Sequence, residues 1–346
     1  MSTKATIRNK LRSSLVVFSL PFLAFASFFE EKPEEEFLKV YRGLSEKSNS
    51  ASDQKTSPDV IAPGTNTGMW VWKGNYVTDP WERILMLDFC QTYGIKSLFI
   101  QVHFDRTDQG DYVFADQEAW AELLSTANEL GIRIEALDGD SNMAFTVNHA
   151  DTIARLKAVL HFNKSQPPNA RFSGIHYDIE PYTTPRWSSG EQKDVAVELL
   201  ELLTKLRKVI SKADPSLTLA NDIPFWYDGD ERFLIKFNGA EKYLNEHIQD
   251  ISNFIGVMSY RTKMTGDNST SEIIKGELAY GAKIGRSVYA AIETAELPET
   301  PNISFFGGSA EVVVSAIREL CKANKSHPSF EGVYMHDYNS MRLIFK

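Results

Sequence analysis

His176, Asp178 and Glu180 stand at alternate positions in the stretch Phe172-Ser173-Gly174-Ile175-His176-Tyr177-Asp178-Ile179-Glu180-Pro181-Tyr182. In a β-strand successive side chains take opposite faces, so these three titratable groups share one side while Ile175, Tyr177 and Ile179 take the other. Asp178 and Glu180 are then about 6.5 Å apart along the strand, near enough to couple electrically and to serve one substrate atom from two positions. Pro181 ends the ladder. A carboxylic acid beside another carboxylate has its pKa raised, which suits a proton donor near neutral pH, and His176 can tune the pair through its own charge. The chemistry such a group performs is general acid catalysis. The plain alternative is a strand whose polar end is solvated.

These residues need a scaffold, and the hydrophobic patterning supplies one. Strand patterns cover 69–72, 97–104, 133–137, 174–180, 217–222, 254–260, 287–293 and 332–336, and helical patterns cover 80–93, 116–130, 148–162, 190–213, 231–248, 271–284 and 310–323. Start signals strengthen several helices, among them Asp79-Pro80 with Glu82, and Ser189 followed by Gln192. Eight strands alternating with seven helices predict an α/β fold, a (β/α)8 TIM barrel lacking a full C-terminal eighth helix, because only Tyr338 to Lys346 follow the last strand. A doubly wound open sheet is the alternative, but no Gly-rich phosphate turn follows the first strand.

In a barrel the functional groups gather at the C-terminal ends of the strands. Those ends carry Trp70 and Trp72, Gln101 and His103, Asp138 and Asp140, the His176–Glu180 set, Asn221 and Asp222, Ser259 to Arg261, Glu293, and His336 to Tyr338. Any one of them is more often a satisfied rim residue than a catalyst. Convergence from all eight strands points to a site. Asp178 and Glu180 are the catalytic candidates, and His176, Trp72, Gln101, Asp138, Asn221, Arg261, Glu293 and His336 the candidates for substrate contact. Tyr182, Trp187, Phe225, Trp226 and Tyr227 offer apolar faces against which a substrate could stack, or else anchor the loops to the rim.

Composition bounds the rest. The 346 residues are 42% hydrophobic and 12% aromatic, enough for a sizeable core, and the formal charge of −9 argues against nucleic acid or an anionic membrane as partner. Two cysteines, Cys90 and Cys321, make no disulfide framework and read as buried thiols. Residues 1–26 read as a signal peptide: Lys4, Arg8, Lys10 and Arg12 precede the apolar run 15–26, which ends in Ala24-Phe25-Ala26. That segment carries four basic residues and no acidic one, so its removal takes the formal charge from −9 to −13. An uncleaved anchor is the alternative, and the expected location is secreted or periplasmic. Residues 27–67 form an N-terminal extension and linker, with a short amphipathic helix expected over 34–47 and disorder over 45–67. Residues 68–346 form the barrel. The helix, through Phe37, Tyr41 and Leu44, is expected to cover the gap left by the incomplete eighth helix.

Ser173-Gly174-Ile175-His176-Tyr177-Asp178-Ile179-Glu180 resembles the fourth-strand motif of glycoside hydrolase family 18, the chitinases and endo-β-N-acetylglucosaminidases, whose pattern is Asp-Gly-x-Asp-x-Asp-x-Glu. Met258-Ser259-Tyr260 is similar to the sixth-strand Met-x-Tyr of that family, and Gly332-Val333-Tyr334-Met335 to its last strand. The resemblance implies a glycosidase of N-acetylhexosamine-containing oligosaccharide or polysaccharide, with no cofactor or metal. Glu180 would protonate the glycosidic oxygen, Asp178 would orient and stabilise the acetamide of the substrate as it attacks the anomeric carbon, and Tyr260 would hydrogen-bond that acetamide. This substrate-assisted route is an exception to the two-carboxylate scheme. The chain departs from the pattern at Ser173 and His176, which replace the first two acids, at Arg261, where an acid or amide usually follows the tyrosine, and at His336, in the place of a tryptophan. Those departures leave room for a carbohydrate-binding barrel without activity, although Glu180 is retained. A metal-dependent hydrolase using His103, Asp138, His176, Asp178, Glu180 and His336 is the third reading, without any tight His-x-His or His-Glu-x-x-His spacing in its favour.

Overall fold

The computed structural model describes residues 60–72 and 75–345. Eight parallel strands close into a barrel: β1 (Asn66–Val71), β2 (Ser97–Gln101), β3 (Arg133–Asp138), β4 (Gly174–Tyr177), β5 (Thr218–Pro224), β6 (Phe254–Met258), β7 (Ser287–Glu293) and β8 (Phe330–His336), with β8 pairing back onto β1. Their order around the barrel follows the chain. The main helices are α1 (Pro80–Tyr93), α2 (Gln117–Glu129), α3 (His149–Ser165), α4 (Gln192–Ala213), α5 (Leu244–Ile251), α6 (Lys275–Ile284), α7 (Ala310–Asn324) and α8 (Tyr338–Ile344). Local chemistry sets their ends: Asp79 caps α1 by accepting from the N–H groups of Trp81 and Glu82, Pro80 occupies its first turn, and Gly94 takes the left-handed conformation that stops it.

The pleat sorts side chains into two cores. Outward-facing residues of the strands, such as Met69, Ile100, Ile134, Ile175, Ile255 and Val333, pack under the helices in one large cluster, while Trp70, Phe99, Leu137, Tyr289, Ala291 and Tyr334 fill the barrel interior. Among the described residues no helix is long and apolar enough to cross a membrane.

Two readings of the sequence need correction. The stretch 231–248, expected as one helix, is a short 3-10 turn, a hairpin pairing Leu234–Phe237 with Ala240–Tyr243, and then the eight-residue α5. Asn238-Gly239 turns that hairpin with positive φ at both residues, 48° and 81°, as a tight hairpin requires. The linker, expected to run to Thr67, ends earlier: Val60, Ile61 and Ala62 are buried, and β1 begins at Asn66. Arg318 of α7 holds this segment by donating to the carbonyls of Val60 and Ile61, and the Ile61 N–H donates to the Tyr93 carbonyl of α1. It therefore helps cover the space between α7 and α1. The seven-residue α8 does the same from the other end of the chain, through Tyr338 against Phe89 and Phe345 against Tyr93. The expected signal peptide and the helix over 34–47 lie outside the described residues.

Candidate active site

Register decides which strand residues face the interior. β3 pairs Glu135 with Gly174 and Leu137 with His176, and β5 pairs Thr218 with Gly174 and Ala220 with His176. Glu135, His176 and Asp222 thus sit on three neighbouring strands, each two residues further up than the last, and they form a diagonal of ion pairs through the barrel. The His176 ring lies between the two acids, with Nδ1 3.0 Å from Glu135 Oε2 and Nε2 2.8 Å from Asp222 Oδ2. All three are buried. Trp70 Nε1 donates to the same Asp222 oxygen at 2.8 Å. Two glycines make the space: a Cβ on Gly174 would lie 3.2 Å from the Glu135 carboxylate carbon and 2.0 Å from Thr218 Oγ1, and one on Gly256 would lie 2.3 Å from Asp222 Oδ1. Burial alone would lower the pKa of His176; the Asp222 and Glu135 carboxylates more than offset it and push it up to about 10.

Asp178 stands one step above His176, just past the end of β4, where its N–H still donates to the Asp138 carbonyl. Its carboxyl is raised well above the usual carboxylate range, by burial first and then by the charges of Asp222 and Glu180, against the opposing pull of His336 and His176. Asp178 Oδ1 is sealed from solvent and has no hydrogen-bond partner, and the same is true of Asp222 Oδ1 and the Tyr227 hydroxyl. Glu180 accepts from the Tyr182 hydroxyl.

From the far side, Tyr260 follows β6, and its partly buried ring lies 6.2 Å from that of His336. Its hydroxyl is raised well above its ordinary pKa by burial, then by Glu293 and Asp178. His336, at the end of β8, holds Glu293 through Nδ1 at 3.0 Å, and Glu293 also accepts from the N–H groups of Thr294 and Ala295. The His336 pKa is moved by burial, which lowers it, and by the Glu293 hydrogen bond, which prevails and raises it. Trp72 packs on the interior cluster next to Trp70. His176, Asp178, Tyr260, Glu293, His336 and Trp72 therefore belong to the barrel interior or its mouth.

Two of the other candidates point outward. Asp138 has outward parity and pairs with Arg155 of α3, burial pushing its pKa up to about 6 against the pull of that guanidinium. Asn221 faces outward and donates to Ser252 Oγ at 2.8 Å, while its neighbour Asp222 points in. Gln101 pairs with the inward-facing Leu137 and so has inward parity at the end of β2, where it also borders a cavity of about 250 Å3 with Tyr76, His103 and Trp120. Arg261 lies at the rim, donating to its neighbour's carbonyl at Tyr260 and to Asn268 and covering the Phe225 ring at 4.8 Å. Of the ligand set of the metal reading, Asp138 and His103 lie apart from His176, Asp178 and His336, and among the described residues no three His, Cys, Asp or Glu groups are arranged to hold a metal ion.

The loop aromatics mostly pack on one another. Trp226 and Tyr227 rings are 4.9 Å apart, Tyr182 and Trp226 5.0 Å, and Trp187 stacks on Phe233 at 6.1 Å. They anchor the loops after β4 and β5, and Tyr182 links that anchor to Glu180. Sequence reasoning missed Glu135 as a site residue. The signal was present: an acid at an inward position of the buried strand Arg133–Asp138 needs a partner.

Neither a comparison with protein-family models nor one with curated protein sequences gives a match. Solved structures do. A GH18 chitinase from Pseudoalteromonas aurantia aligns over 80% of this chain and 95% of its own at 12% identity, with a TM-score of 0.51. A glycoside hydrolase family 18 N-acetylglucosaminidase from Paenibacillus barengoltzii aligns over 81% and 97% at 11% identity, with a TM-score of 0.50. At such identities the likeness is one of fold: the chain has a (β/α)8 barrel similar to theirs, as the motif resemblance implied.

Proposed function

We propose that this barrel is a glycoside hydrolase acting on an extracellular glycan that contains N-acetylhexosamine, by retaining, substrate-assisted acid catalysis. The observation that carries the reading is the acid pair Asp178 and Glu180 above β4, with Asp178 raised and Tyr260 facing from β6. The similar folds of a chitinase and an N-acetylglucosaminidase support it. In the free enzyme the proton of the pair rests on Asp178. When substrate binds, its acetamide N–H meets Asp178 and favours the carboxylate there, so the proton moves to Glu180 and from it to the glycosidic oxygen. The acetamide oxygen then attacks the anomeric carbon, the leaving sugar departs with that proton, and anionic Asp178 faces the cationic ring that forms. Tyr260 donates to the acetamide oxygen and fixes its approach; Tyr182 holds the Glu180 carboxylate in line. The basic and apolar start of the chain makes a secreted or periplasmic location part of the proposal.

Glu180→Gln tests it. The variant removes the proton donor at nearly constant shape, so it should lose cleavage of N-acetylhexosamine oligosaccharides, by roughly 10² or more, while retaining binding. Turnover at the level of the unaltered protein would refute the assignment. An unaltered protein that cleaves plain hexose oligosaccharides and spares N-acetylated ones would refute the acetamide's part.

A further inference from the structure

Two carboxylate oxygens in the barrel interior, Asp178 Oδ1 and Asp222 Oδ1, are sealed from water and lack hydrogen-bond partners. Buried polar atoms in that condition need an explanation. The β4–β5 register pairs His176 with Ala220 and Tyr177 with Asn221, so one step further on Asp178 comes level with Asp222. Neighbouring strands lie about 4.8 Å apart, and both side chains point inward at that level. Two acceptor-only groups side by side repel; with one proton between them both oxygens are satisfied. Asp222 is suited to be the acceptor. Its other oxygen already receives His176 Nε2 and Trp70 Nε1, each at 2.8 Å, which stabilises the anion.

We propose, resting on the glycosidase reading above, that Asp222 is a positioning residue: as a carboxylate held by the His176 imidazolium and Trp70, it accepts a hydrogen bond from protonated Asp178 and parks the catalytic proton there until substrate arrives. His176 occupies the motif position where a carboxylate is expected, and the anion that faces Asp178 comes instead from the next strand. The other charged or titratable groups acting on Asp178 are Glu180 from its own segment, His336 from β8 and His176 from β4; Tyr260, Tyr227 and Tyr182 feel its charge in turn. Glu135 acts through His176, balancing the imidazolium from the opposite side so that the diagonal carries one net negative charge.

The free protein reports the parked proton directly. Carbon-13 NMR titration of aspartate carboxyls should show, besides Asp138, one that stays protonated well above pH 6, lost in Asp178→Asn; a free protein in which no aspartate other than Asp138 keeps its proton there overturns the proposal. In turnover, loss of the parked proton sets the alkaline limb of the pH–rate profile. Asp222→Asn removes the anion and should lower that limb by one pH unit or more, about tenfold in rate on the alkaline shoulder. His176→Gln removes the cation and leaves Asp222, so it must not lower the limb. Equal downward shifts from both variants would mark a general packing loss and overturn the role, as would an unmoved limb in Asp222→Asn. The NMR titration needs no turnover, so a protein without glycosidase activity would refute the functional reading while leaving the shared proton to be judged separately.

Discussion

The buried imidazolium makes the fold lose stability in alkali. His176 titrates at about 10 in the folded protein against 6.5 when free, because Asp222 and Glu135 flank it where burial would otherwise expel its charge. A folded pKa above the unfolded one means stabilisation that is fully present below pH 6.5 and is lost as pH rises toward 10. At about 1.4 kcal/mol for each tenfold, the full contribution is on the order of 5 kcal/mol, of which about 3 kcal/mol disappears between pH 6 and pH 9. For a barrel of this size that corresponds to a fall of roughly 6 °C in Tm. Asp178 acts in the same direction, since a carboxyl raised on folding also loses stability as pH climbs. Thermal melts followed by circular dichroism at pH 6, 7, 8 and 9 read the slope. The control is Glu135→Gln with Asp222→Asn: without either anion, burial keeps the imidazole neutral throughout this range, and the slope should flatten. Nitrogen-15 shifts of the ring identify the species directly, with both nitrogens protonated at pH 8 in the unaltered protein. A neutral tautomer at pH 8, or melting curves of the two proteins that run parallel from pH 6 to 9, would refute the reasoning.

Two further outcomes follow from packing. Gly256→Ala places a Cβ 2.3 Å from Asp222 Oδ1, between strands that cannot separate, and should cost about 1–3 kcal/mol, seen as a Tm several degrees lower; unchanged melting would mean the acid has room to move. Arg155→Gln leaves Asp138 buried without its partner on the outer face of β3, so it should cost about 2 kcal/mol while kcat and KM per folded molecule stay the same. A raised KM at unchanged stability would return Asp138 to the substrate site.

The barrel was legible because period-two runs and helical runs alternate cleanly, and because caps such as Asp79-Pro80 and Gly94 mark their ends. Local competition defeated the pattern at 231–248. Apolar residues there match helical spacing, but Asn238-Gly239 favours a tight turn, and the flanking Leu234–Phe237 and Ala240–Tyr243 pair across it. At the site, spacing within one strand placed His176 beneath Asp178. It also made every polar strand end a candidate, and the one-residue parity that turns Asn221 and Asp138 outward while turning Asp222 inward depends on register. The diagonal from Glu135 to Asp222 crosses three strands, with its ends 87 positions apart in the chain, and no single segment's pattern contains it.

That diagonal also bears on why the interior is not simply apolar. The barrel interior around the diagonal, where the Tyr289 and Tyr334 rings stack at 4.1 Å and the Phe99 ring lies 4.5 Å from Tyr334 and 4.1 Å from His176, shows that this chain can fill such space with aromatic rings. Burying two carboxylates and an imidazolium among those rings costs desolvation that their mutual attraction roughly returns, so a hydrophobic plug of equal volume would hold the fold as well or better. Stability therefore does not account for Glu135, His176 and Asp222. What the ionic diagonal does and a plug cannot is set a fixed charge beside Asp178, at the one level of the barrel where a carboxyl must keep a proton in the free state and release it on demand.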